Sequence, residues 1–307
     1  MELIPIIFVH KGNNYFLHYT LTQARIFNPD SDIYLIGDET NRHFKGIKHY
    51  FIDDFAQSAN QFSQIYKHLS SNLYDYELFC FQRWFIILDF IKKQNITHFL
   101  YLDSDVLIYC NVNSIFNAYL DFDFTICDEQ APCTTLFNKK SIHDFCNFIT
   151  NLFTQDFYLD ILTKMHTEGA VISDMTAFKL YPQYQSAKVK ELTDINNYSC
   201  FDDNINIAGI FKGEKGRKKI YWIENKPYAR LAENDQLILF YSLHFQGKAK
   251  HIMYKYLINS KHKHVGALFA IKHYILLIIS KVISTFSANP KVFLGMGMSS
   301  QSVIDVG

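Results

Sequence analysis

The stretch from Leu78 to Tyr109, "LFCFQRWFIILDFIKKQNITHFLYLDSDVLIY", constrains the fold most. Up to Asn95 it reads as a long buried helix; a polar break follows, and then an apolar run of strand length. A buried helix feeding directly into a buried strand is the repeating unit of an α/β sheet. The same alternation opens the chain. "IPIIFVH" is a strand ending at Lys11-Gly12-Asn13, "NYFLHYTLTQARIF" has helical spacing, and "DIYLIGDE" is a second strand that stops at Gly37-Asp38. The expected architecture is α/β, with a mostly parallel central sheet of Rossmann-like winding and helices on both faces. In such sheets ligands bind at the carboxyl ends of the strands, which is where Lys11, Asp38 and Asp103 to Asp105 should gather.

With 307 residues, 49% of them hydrophobic, the chain can bury a large core. Lys plus Arg and Asp plus Glu both number 30, so no overall field favours nucleic acid as a partner. Six cysteines without a CxxC pair fit reduced thiols in a cytoplasmic protein better than a disulfide framework. The segment "MELIPIIFVHKG" has no basic n-region and no small-residue cleavage site, and is read as no signal peptide. From about Phe122 the pattern changes to shorter strands and loops, "FTICDE", "GAVISDMTAF", "KKIYWIE" and "LILFYSLHF", with little helical period.

The acids at Asp103 and Asp105 need a reason. In an extended segment residues i and i+2 project to the same side, and two adjacent carboxylates are costly unless a cation joins them. Hard oxygen ligands suit Mg²⁺ or Mn²⁺ shared with a diphosphate; the plainer alternative is a DxD turn capping backbone amides. Farther on, "YSLHFQGKAKHIM" delivers His244, Phe245, Gly247 and Lys250 in the spacing H-F-x-G-x-x-K. An imidazole completes a metal site, a glycine lets backbone approach a ligand, and a lysine supplies charge for phosphate.

The pairing of D-S-D on an apolar strand with a late H-F-x-G-x-x-K resembles the metal-dependent GT-A glycosyltransferases. The likeness is greatest to the GT8-like galactosyl- and glucosyltransferases and to bacterial enzymes of surface-polysaccharide and lipopolysaccharide assembly. It covers roughly residues 3 to 256 and implies a GT-A fold. It also implies transfer of a sugar from a nucleotide sugar, UDP-hexose above all, to a glycan or lipid-linked acceptor. Asp103, Asp105 and His244 would then hold Mn²⁺ or Mg²⁺ against the nucleotide diphosphate, with Lys250 on phosphate and Ser104 and Gly247 close by. Val9, His10, Lys11 and Asp38 would meet the nucleoside, and Arg83, in "FQRWF", the diphosphate or the aspartates. The match of "HTEGAVISDMTAF" to the family's small-residue segment is partial, and Asp235-Gln236 lies too near His244 for the usual D-Q-D. Retention and inversion therefore both stay open: for inversion Asp174 or Asp202 would act as base, and for retention the leaving phosphate would take the proton.

The expected organisation is a glycosyltransferase domain over residues 1–258, divided into a nucleotide half (1–121) and an acceptor half (122–258). After it come a basic, apolar helix over 259–286 and a loose tail over 287–307. "KHKHVGALFAIKHYILLIISKVISTF" is interrupted by Lys272, His273 and Lys281, so it suits the surface of an anionic inner membrane better than a span. Two other readings compete: a HAD-type phosphatase with Asp103 as nucleophile, which lacks its second acidic motif here, and a non-catalytic membrane-associated scaffold.

Overall fold

The computed structural model describes residues 3–258. The expectations for residues 259–286 and 287–307 lie outside the described residues. Within them, β1 (Ile6–Val9), α1 (Tyr15–Phe27), β2 (Ile33–Gly37) and β3 (Lys48–Phe51) form the expected β-α-β opening. A short helix α2 (Gln57–Ser63) precedes the long helix α3 (Tyr74–Gln94), which feeds β4 (His98–Leu102). Acidic Asp75 and Glu77 in the first turn of α3 and Lys92 and Lys93 in its last turn complement the helix dipole. Asn95 ends it in the left-handed region, φ 53°, a conformation asparagine tolerates.

Seven strands make the main sheet. With β5 (Val106–Ile108), β6 (Phe124–Ile126), β7 (Thr134–Asn138) and β8 (Val189–Glu191) named, its order is β3-β2-β1-β4-β7-β6-β8. The pairs β2–β3, β1–β2, β1–β4 and β6–β8 are parallel, and only β7 runs against both its neighbours. The central strands are apolar throughout because both faces are covered. Ile7, Val9, Tyr34 and Ile36 pack beneath α3, whereas Ile6, Phe8, Ile33 and Leu35 face α1. The α/β class with a mostly parallel central sheet is thus observed.

Two details differ from the sequence reading. The second half carries more helix than its periodicity implied: Lys139–Thr154, Asp156–Thr167 and Asp174–Tyr184. In "GAVISDMTAF" the helix starts inside the apolar run, because Ser173 and Thr176 cap its first turn reciprocally. The segment "HFLYLDSDVLIY" is also not one strand. It breaks at Asp103–Asp105 into β4 and β5, and Val106 N–H closes the turn on the Asp103 carbonyl at 3.1 Å. The two carboxylates therefore converge through a turn, not through the two-residue alternation of a strand.

Candidate metal and nucleotide site

Chain topology brings the two motifs together. The strand Ser242–His244 pairs antiparallel with β5, with His244 opposite Val106, and Phe245 N–H donates to the Asp105 carbonyl at 2.9 Å. That register puts the imidazole beside the aspartate turn. The turn itself is fixed to the sheet and to α1: Asp103 N–H donates to the Cys133 carbonyl at 2.9 Å, and Thr20 Oγ1 to the Ser104 carbonyl at 2.7 Å.

Asp103, Asp105 and His244 each offer a ligand atom, and these atoms lie within 4.8 Å of one another. His244 Nδ1 faces the Asp203 carbonyl at 2.5 Å; a carbonyl only accepts, so Nδ1 carries hydrogen and Nε2 is turned to the carboxylates. Nε2 lies 3.4 Å from Asp105 Oδ1, and Lys250 Nζ lies 2.7 Å from Asp105 Oδ2. Burial works against the ionised form of Asp105, but His244 and Lys250 outweigh it and hold the carboxyl below its ordinary range. Burial likewise opposes charge on His244, yet Cys133 and Asp105 beside it raise the imidazole well above its usual value. Two hard carboxylates and an imidazole whose orientation is set by a carbonyl are a donor set that fits a divalent cation.

Around this cluster stand the other residues singled out from the sequence. Arg83 Nη1 donates to Asp103 Oδ1 at 2.8 Å, and Nη2 and Nε donate to Asp174 Oδ2 at 2.5 and 3.2 Å. Asp174 Oδ2 also accepts from the buried Trp84 indole at 2.9 Å. Asp202 is buried behind His244: its Oδ2 accepts the His244 backbone N–H at 3.0 Å and its Oδ1 lies 2.7 Å from Lys218 Nζ. Val9 ends β1 in the core, and His10 follows it; burial holds its imidazole down to about 4, while Asp105, Asp38 and Asp103 pull the other way. Lys11 Nζ lies 4.4 Å from the centre of the Phe79 ring. Asp38 follows β2 and ties the loop after β1 to its own, accepting from Gly12 N–H at 2.5 Å and Thr40 N–H at 2.8 Å. Buried Asn41 ties the same loop by donating to the His10 and Gly12 carbonyls, and it fills the space a side chain on Gly37 would need. Gly247 adopts φ +58°, with nothing within 4 Å of the place of a Cβ.

Sequence reasoning missed three supports of the site. Tyr101, whose hydroxyl donates to Asp103 Oδ1 at 2.5 Å, sits two residues earlier on the same strand face, a spacing that could have pointed to it. Trp84, beside Arg83, was visible only as a core aromatic. Lys218 opens "KKIYWIE", read as a short strand, and nothing in that segment marks a lysine that turns inward.

No family model matches the chain, and no curated protein matches it in sequence. Among solved structures it is similar to mouse xyloside xylosyltransferase 1, 10% identical over 64% of this chain and 87% of that one, with a TM-score of 0.48. It is similar to an active-site mutant of LgtC, 14% identical over 88% of this chain and 96% of that one, with a TM-score of 0.47. The glycosyltransferase GlyE of Streptococcus pneumoniae is 18% identical over 64% of this chain and 47% of that one, with a TM-score of 0.36.

Proposed function

We propose that the chain is a metal-dependent glycosyltransferase that moves a hexose from a nucleotide sugar, UDP-hexose by its motifs, to a glycan or lipid-linked acceptor in cell-surface polysaccharide synthesis. The observation that carries this reading is the convergence of Asp103, Asp105 and His244, from two distant motifs, at the carboxyl end of the sheet. In this reading these three residues hold Mn²⁺ or Mg²⁺, which when bound supplies positive charge to the departing diphosphate. Lys250 adds a second charge from the opposite side of Asp105. Arg83, locked to Asp174, keeps the Asp103 carboxylate aimed at the cluster.

Asp174 and Asp202 take positioning roles in this scheme rather than that of a base. The Asp174 oxygen that faces Arg83 already accepts three N–H bonds, and the Asp202 side chain is sealed against Lys218. The proton of the acceptor hydroxyl then passes to a phosphate oxygen of the leaving group, the course expected of retention. The phosphatase reading would need Asp103 as a free nucleophile, whereas its Oδ1 accepts from both Arg83 and Tyr101. Among the described residues no helix is long and apolar enough to cross a membrane.

Incubating the protein with UDP-glucose and UDP-galactose, with Mn²⁺ and then with EDTA, tests the proposal through UDP release. Release should require the metal and fall by about 1000-fold in Asp105→Ala. Release that survives EDTA, or phosphate liberated from simple phosphomonoesters through an aspartyl-phosphate, would overturn it.

A further inference from the structure

Beside the candidate site lies an open cleft of about 640 Å³ whose lining contains no carboxylate. The hairpin around Gly213–Lys218 contributes Lys215, Gly216 and Arg217 to one wall. The segment after His244 contributes Gln246, Gly247 and Lys248 to the other. The three cations differ from their neighbours. Lys212, Lys218 and Lys219 are each paired, with Asp235, with Asp202 and Asp203, and with Glu214. Lys215, Arg217 and Lys248 make no ion pair among the described residues. On the hairpin Lys218 turns inward to the carboxylates, and Arg217, next to it, lines the cleft.

The walls are built rather than incidental. Asn206 Nδ2 donates to the Gln246 carbonyl at 3.0 Å, Asn204 Nδ2 donates to Gln246 Oε1 at 2.6 Å, and Lys218 Nζ donates to the Asn204 carbonyl at 2.8 Å. The cleft is therefore tied through Lys218 and Asp202 to His244. It also adjoins the reacting centre along the chain. His244 and Lys250 both touch Asp105, so the segment between them leaves the metal cluster, lines the cleft and returns.

From this geometry we infer that the cleft is an anion subsite for the second substrate: Lys215, Arg217 and Lys248 bind a phosphate or carboxylate group carried by the acceptor sugar. The assignment to the acceptor rests on the glycosyltransferase reading, in which the donor diphosphate is already met by Lys250 and the metal cluster. Unpaired positive charge gathered along the two sides of an open groove selects and orients an anionic ligand.

The test is a calorimetric titration of glucose 6-phosphate, glucuronate and neutral glucose into the protein saturated with UDP and Mg²⁺. One of the two anions should bind more tightly than glucose, and which one names the group as phosphate or carboxylate. Its affinity should fall about tenfold or more in Lys215→Gln/Arg217→Gln/Lys248→Gln, while UDP affinity changes by less than about twofold. Neither anion binding better than glucose to the UDP-saturated protein, or an unchanged affinity in the triple variant, would overturn the inference. Failure of the glycosyltransferase reading shows separately, as absence of metal-dependent UDP binding; the same variant comparison is then read on UDP-free protein and decides whether the anion subsite exists.

Discussion

Arg83, largely covered, and Lys218, buried, are both cations held between two aspartates, yet only Arg83 touches a candidate metal ligand. Arg83 reaches Asp103 directly and is anchored by Asp174, with 14% of its side chain exposed. Lys218 is 4% exposed, binds Asp202, Asp203 and the Asn204 carbonyl, and reaches His244 at one remove, through Asp202, which accepts its backbone N–H, and Asp203, whose carbonyl faces Nδ1. The first brace sets the direction of a carboxylate. The second sets the path of the chain that carries an imidazole. Disturbing the first should change binding at the site before it changes folding, and disturbing the second should do the reverse.

The largest effect is expected at Lys218. Lys218→Met leaves Asp202 buried without its cation, and breaking such a pair costs about 3–5 kcal/mol, to be read from urea unfolding. Pairing it with Asp202→Asn should recover much of the loss, because the uncompensated charge goes with it. A stability change below about 1 kcal/mol in the single variant would erase the contrast between the two braces.

On the other side, Tyr101→Phe removes the hydroxyl that donates to Asp103 and accepts from Arg83 Nη1, while the bonds of Arg83 to Asp103 and Asp174 remain. Outer contacts of this kind tune ligand orientation, so Mn²⁺ affinity should fall by about tenfold with little change in the unfolding curve. Equal losses of stability and affinity would show that this brace, too, is mainly about folding.

The smallest effect concerns pH. Burial opposes the charge on His244, but Cys133 and Asp105 hold its proton well above the ordinary 6.5, while Asp105 stays ionised. A cation taking Nε2 must displace that proton, so Mn²⁺ affinity should rise with pH by at most about tenfold per unit and level off above the raised value. Titrations across the neutral range check this, and an affinity independent of pH would remove His244 from the ligand set.

How much of this was legible in the sequence follows the same division. The strands β1, β2 and β4 and the helices α1 and α3 could be read because burial on both faces writes continuous apolar runs and a helical stripe into the chain. Asp103, Asp105, His244 and Lys250 were legible as motifs whose residue types have few other uses together. Their meeting came from the family resemblance alone, since it depends on the antiparallel register of Ser242–His244 with β5, which no local pattern encodes. Asp174 and Asp202 looked like free acids because their cations, Arg83 and Lys218, lie 91 and 16 positions away along the chain. The helix Lys139–Thr154 went unread although Ile142, Phe145, Cys146, Ile149 and Phe153 keep helical spacing along its buried face; the shorter apolar runs flanking it drew the reading toward strands.

Titration of Mn²⁺ into the protein, with and without UDP, followed by the resonance of the free ion, tests the central claim most directly. The wild type should bind one ion, more tightly with UDP present, and Asp105→Asn and His244→Ala should each weaken binding by about 100-fold or more while retaining a cooperative unfolding transition. Mn²⁺ bound equally well by both variants would contradict a site made of Asp103, Asp105 and His244.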